Sequence, residues 1–192
     1  MNASNTLSQR RDLETRYQNS RVNLLFVVLF TVINVVLLVT QSDTYFLFSA
    51  FIPYVLVSLG MILCGMYPQE YYGDDFAGME FLDKSVFAVF LLIAVIAVVL
   101  YLISWIFSKK YRGGWLIFAL IIFAVDTLVM FAFVGFALDS IIDIAFHVWV
   151  IVSLARGIHA CGKLKKMPAE LPEASEFAET EQENKDSISS ES

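Results

Sequence analysis

Three side chains in the second half of the chain have types and spacing that can do chemistry: Asp126, Asp143 and His147. With Asp139, the last two follow an i, i+4, i+8 pattern that lines one stripe of an α-helix. Asp126 stands near the middle of the preceding apolar run, and Thr127 beside it offers a hydroxyl that can orient either partner. An ionisable side chain at the centre of a membrane helix costs about 2.5–3.5 kcal/mol on insertion scales, so it calls for a partner or a water-filled cavity. A turn near Leu138–Ser140 makes the two runs antiparallel neighbours. His147 then lies about 12 Å, and Asp126 about 18 Å, below that turn, within reach if the two faces meet.

Three chemistries fit this group. Asp126 and Asp143 can flank His147 and fix helix packing by charge pairing or hydrogen bonding. They can relay protons or cations, since histidine titrates near neutral pH and a buried carboxyl can retain its proton. They can ligate a metal, because Asp-x3-His puts two ligands on one helical face, although zinc sites usually carry more His or Cys. No metal and no cofactor are expected. Catalysis is the weaker reading: the chain has no G-x-S-x-G, no H-E-x-x-H and no Gly-rich phosphate loop. Ser104, Ser153 and Tyr72 have no partner at a spacing that selects a nucleophile, so no catalytic residue is assigned.

The elements that must position these groups are apolar. The chain is 192 residues long, 58% apolar and 17% charged, with a mean hydropathy of +0.68. Soluble domains carry more charge and less apolar residue, so the composition points to an integral membrane protein. Five apolar runs are candidate spans: 22–39, 45–66, 85–107, 115–138 and 141–158. A helix needs about 20 residues to cross a bilayer core, and unbroken runs of this length are incompatible with alternating barrel strands. The expected fold is an all-α polytopic transmembrane bundle of about five helices (residues 22–160), preceded by a polar, Arg-containing segment (residues 1–21). Residues 161–192 form a basic flank and then an acidic tail, expected to be disordered from Pro168 because it is rich in Glu and Ser and poor in apolar residues. The first run is too long, and its polar leader too extended, for a cleaved signal peptide.

The formal net charge of −6 is unevenly distributed: residues 67–84 give −4 and residues 167–192 give −7. It carries no implication of an acidic-substrate or nucleic-acid partner. Orientation follows Lys and Arg in short flanks. Lys109, Lys110 and Arg112, together with Arg156, Lys163, Lys165 and Lys166, place seven basic residues on one face, assigned to the cytoplasm with the carboxyl terminus. Five crossings put the four amino-terminal Arg and Lys84 on the other face, a bias of 7 to 5. If one early run does not cross, the bias becomes 11 to 1, and the run 45–66, interrupted by Pro53, Gly60 and Gly65, is the natural candidate. Its 22-residue length argues for a full crossing, so the side of the amino terminus stays open.

Tyr101, Trp105, Tyr111 and Trp115 read as an interfacial belt around the basic loop, with Tyr67, Tyr71 and Tyr72 doing the same beside the acidic one. Arg112 and Arg156 read as headgroup anchors. Asn23, Thr31 and Asn34 share one helical face, expected to point into the bundle. Gly60 and Cys64 form a small-x-x-x-small pair that lets helices approach closely. Cys64 and Cys161 are too separated for a cysteine-ligand motif.

The stretch WLIFALIIFAVDTL (115–128) and then DSIIDIAFHVWVIVSLARGIHACGKLK (139–165) resembles a pattern in small uncharacterised bacterial membrane proteins. YFLFSAFIPY (45–54) is similar to an earlier part of the same proteins. The resemblance implies a bacterial inner-membrane setting and brings no activity with it. The expected role is a non-enzymatic accessory or structural component of the cell membrane; the alternative is a small proton- or cation-coupled transporter, or a subunit of one, built on the Asp/His group. The bilayer is the expected partner, with room for a protein partner or a second copy, and without nucleic acid.

Overall fold

One buried stripe runs along the first helix from Leu13 to Leu38. Leu13, Tyr17, Ser20, Leu24, Val27, Thr31, Asn34 and Leu38 are all buried, and successive members are alternately four and three residues apart. That is the spacing of a helix seam packed against neighbours. From Val22 onward the opposite stripe, including Val22, Phe26, Leu29 and Val36, is exposed and apolar, as befits a surface facing lipid rather than water.

The computed structural model describes residues 3–42, 44, 46, 49–73, 80–135 and 141–167. Among the described residues every regular element is helical: α1 (Ala3–Val39), α2 (Phe51–Leu63), α3 (Gln69–Tyr72), α4 (Lys84–Phe107), α5 (Gly113–Val134) and α6 (Ile141–Leu164). Four of these, α1, α4, α5 and α6, are long and apolar enough to cross a membrane. The acidic tail from Pro168, Asp139 and the Leu138–Ser140 turn lie outside the described residues.

Two expectations are corrected. The polar segment 1–21 is not separate from the bundle: it is the first half of α1, a single helix of 37 residues. Arg10–Glu14 and Arg16–Asp12 ion pairs one turn apart support it, and its Leu13 and Tyr17 are buried. Tyr17 Oη donates to the Ser108 carbonyl at the end of α4. Arg21 donates to Ser108 Oγ at 2.9 Å and to the Trp105 carbonyl at 3.3 Å, so a cation sits at the negative end of that helix.

The second correction concerns 45–66. Instead of a full crossing, this run yields a 13-residue helix, about 20 Å long. Ala50, just before α2, contacts Thr31, which lies about 12 Å short of the end of α1. The far end of α2 returns to the level at which α1 ends, where Gln41 Nε2 donates to the Met66 carbonyl at 2.7 Å. Val57 and Met61 of α2 pack with Leu38 of α1. From Ala50 onward this run thus starts beside Thr31 within the bundle and finishes level with the end of α1, the arrangement of a re-entrant element.

Glycine chemistry closes the exit. Gly65 has φ +63°; its N–H reaches the Ile62 carbonyl and the Met66 N–H reaches the Met61 carbonyl, the paired bonds of a Schellman C-terminus. A Cβ on Gly60 would stand 2.9 Å from Phe90 Cβ, so glycine is what lets α2 lie against α4. Asp83 then caps α4, with its carboxylate accepting the Ser85 N–H at 2.8 Å. Hydrogen bonds from the Ser85 hydroxyl and N–H hold the Asp83 carboxyl below the usual carboxylate range.

α5 and α6 are antiparallel, with Gly113 against Cys161 at one end and Asp126 against His147 towards the other. Four long helices, with α2 as a half-length element between the first two, bring the end of α6 to the face where α1 starts. The polar half of α1, the 109–112 loop and the end of α6 therefore lie together, and the basic residues among the described positions divide 11 to 1, Lys84 being the exception. With the buried native cysteines replaced, single cysteines at Ser8 and Lys165 should react with an impermeant maleimide from the same side of sealed vesicles, and one at Gln69 from the other. Labelling of Ser8 and Lys165 from opposite sides would contradict the four-crossing arrangement.

Candidate functional site

Every α-helix begins with N–H groups that have no intrahelical partner, normally met by a capping side chain or by water. α2 begins inside the bundle, and its N-cap, Ala50, has no capping side chain. Other helices supply the acceptors. Thr31 Oγ1 of α1 accepts the Ala50 N–H at 2.8 Å. Asp126 of α5 accepts the Phe51 N–H on Oδ2 at 2.9 Å and the Ile52 N–H on Oδ1 at 2.7 Å. The fourth position is Pro53, which has no N–H to satisfy. All the orphan donors of this first turn are accounted for.

The approach to α2 is held in the same way. Asn34 Oδ1 accepts the Phe46 N–H at 2.8 Å, while its Nδ2 donates to the Phe46 carbonyl and, at 2.8 Å, to Ser49 Oγ. Non-helical backbone at membrane depth is tolerated only where protein or trapped water satisfies it, and here side chains of α1 do so.

His147 completes the group from α6. Its Nδ1 lies 2.8 Å from the Asp143 carbonyl and its Nε2 lies 3.3 Å from Asp126 Oδ2. A carbonyl only accepts, so the hydrogen-bond network assigns a proton to Nδ1. The Nε2–Oδ2 contact then requires one further proton between the two groups. With it the pair has no net charge whichever atom holds the proton, which lowers the penalty of burying it. Asp126 and His147 are 1% and 2% exposed. Phe123 stacks on the imidazole with ring centroids 5.0 Å apart, fixing the ring plane.

The remaining sequence candidates fall outside this contact set. Thr127 Oγ1 donates to the Phe123 carbonyl of its own helix at 2.7 Å, so it orients neither Asp126 nor His147. Asp143 meets His147 through its backbone carbonyl; its side chain lies in the first turn of α6, where a negative charge suits the helix dipole. Asp143 and His147 also line, with Ser49, Phe51, Tyr54 and Met130, a cavity of ≈ 220 Å³. No group of three or more His, Cys, Asp or Glu converges on a metal position among the described residues.

The aromatic belt divides. Trp105 lies beneath Arg21 and Lys109, both within 6 Å of its ring centroid (5.8 and 5.7 Å), and Trp115 stacks on Phe107 at 5.1 Å. Arg112 and Arg156 are exposed at the same end. Tyr101, read as a belt residue, is instead buried beside Phe123, with a hydroxyl that has no hydrogen-bond partner among the described residues. Tyr72 is likewise buried, its hydroxyl placed on the Met61 and Ile62 carbonyls that end α2. Asn23 parts from Thr31 and Asn34 and donates to Ser153 Oγ of α6 at 2.6 Å. Cys64 and Cys161 are free and buried. The acceptors of the Phe51 and Ile52 N–H groups were hidden from sequence reasoning; Pro53 downstream of Ser49 and Ala50 is the one local sign that a helix starts there.

No known protein family, curated protein or solved structure matches this chain.

The two threonines give a paired test. Thr31→Val keeps the shape of the side chain but orphans the Ala50 N–H, and should destabilise the detergent-solubilised protein by about 1–3 kcal/mol. Thr127→Val removes only a back-bond to a carbonyl already in a helix and should change stability by less than about 1 kcal/mol. Equal effects in thermal denaturation would contradict the assignment of Thr31 as a cap.

Proposed function

We propose that this protein is a non-enzymatic, polytopic component of a bacterial cytoplasmic membrane, with both the α1 start and the α6 end cytoplasmic, and that its buried Asp/His pair is an architectural lock. The side assignment rests on the 11 to 1 division of basic residues. The lock reading rests on one observation: both Asp126 oxygens are taken up by the Phe51 and Ile52 N–H groups. In transporters, an interrupted helix can aim its positive N-terminus at an anionic substrate. Here that end is filled by the protein's own carboxylate, so the group behaves as a completed cap rather than an open ligand site.

A second reading, a proton route, is favoured by the cavity on which His147 and Asp143 border. In that reading protons pass by way of His147 to Asp126.

One pair of assays separates the two. As a lock, Asp126→Ala and His147→Ala each destabilise the fold, Asp126→Ala by about 3–5 kcal/mol because it leaves a buried partner unpaired. The double variant should then cost less than the sum of the singles by at least about 0.5 kcal/mol. Proteoliposomes holding the parent protein should dissipate a pH gradient no faster than empty vesicles. Dissipation that is lost in His147→Ala, with additive stabilities, would replace the lock with the proton route.

A further inference from the structure

Away from the Asp/His pair, one feature without a part in the fold is the seam between the polar half of α1 and the end of α6. Two adjoining cavities, ≈ 470 and ≈ 360 Å³, share Arg16, Val152 and Arg156 in their walls. The outer one adds His159 and Lys163; the inner one adds Val22 and Trp149. Arg16 is held by Asp12 at 2.9 Å. Arg156, His159 and Lys163 are exposed, and their side chains make no hydrogen bond or ion pair with the described residues. Among the described residues Asp12 is the one acidic residue lining either cavity, so the basic residues among them are in excess.

The level of this groove decides what suits it. Gly157 packs against Ser20, one residue from Arg21, which bonds Ser108 and Trp105 where α4 ends. Arg156 therefore sits at the polar boundary of the bundle. Lys163 lies about 10 Å further out and Trp149 about 10 Å deeper, among residues that face lipid. The groove thus runs from a cluster of cations to an apolar floor across the membrane boundary. A soluble anion could use only the outer end.

We propose that the α1–α6 groove is a binding site for an anionic glycerophospholipid. Arg156, Lys163 and Arg16 receive the headgroup phosphate, where guanidinium and ammonium groups donate charge-assisted hydrogen bonds, and an acyl chain lies along Val22, Val152 and Trp149. Basic pockets between helices on the cytoplasmic side are a recurring form of lipid recognition.

The test is native mass spectrometry of the full-length protein in mild detergent, titrated with phosphatidylglycerol or phosphatidylcholine. The parent should retain phosphatidylglycerol preferentially, and Arg156→Gln and Lys163→Gln should each lower that preference about fivefold. Lys110→Gln, on the same face but outside the groove, should not. Equal retention of the two lipids, or an equal loss in Lys110→Gln, overturns the proposal. Millimolar glycerol phosphate should fail to displace the lipid; full displacement would show that the apolar half contributes nothing and also overturns it. A second readout needs no charge variant: in a Trp105→Phe, Trp115→Phe background, chain-brominated phosphatidylglycerol should quench Trp149 more strongly than brominated phosphatidylcholine, and equal quenching contradicts the site.

Discussion

The first turn of α2 starts inside the bundle with no capping side chain of its own, and the rest of the architecture answers to that constraint. A buried N–H without an acceptor costs about 1–3 kcal/mol. Three of them would consume much of the stability of an ordinary domain, about 5–15 kcal/mol. Thr31 meets one and Asp126 the other two, while Pro53 removes the donor that would have been fourth. His147 in turn satisfies the remaining face of the Asp126 carboxylate. Helices α1, α5 and α6 are thereby joined through the end of a fourth, and each must keep its seam in register for the bonds to form.

That register is set by packing at both ends of the bundle. Tyr17 and Arg21 tie α1 to the end of α4, and Gly157 allows α6 to come within contact of Ser20. At the far end, Gly65 and Tyr72 satisfy the last carbonyls of α2, and Gly60 seats it against α4. Because α2 starts inside the bundle and ends level with the end of α1, it adds no full-length span, and α6 ends on the face where α1 begins. The same half-helix that demands the buried carboxylate thus also explains why the basic residues gather on one side.

Much of this was legible in the sequence. The helical membrane class follows from apolar runs of span length, and the meeting of Asp126 with His147 follows from their depths on antiparallel neighbours. Thr31 and Asn34 were recognisable as inward-facing from their spacing. The fate of 45–66 was not, because its length suits a crossing and only its Pro and Gly argue otherwise; what decides is the set of acceptors presented by α1 and α5, which no local pattern displays. The docking of the polar segment was missed for a different reason. Its charges dominate its composition, yet Leu13, Tyr17 and Ser20 extend the seam spacing of Leu24, Val27 and Thr31 without a break. Tyr101 was misplaced because an aromatic within a turn of Trp105 looks interfacial, whereas helix periodicity turns its ring inward onto Phe123.

Hydrogen–deuterium exchange at the Ala50, Phe51 and Ile52 amides tests the central claim most directly. These three N–H groups have no intrahelical partner, so in an uncapped helix they exchange as fast as loop amides. With Thr31 and Asp126 as their acceptors they should be protected as strongly as amides in the middle of α2, and in Asp126→Ala the Phe51 and Ile52 amides should lose that protection while the middle of α5 retains its own. Fast exchange at Phe51 and Ile52 in the parent protein would contradict the account.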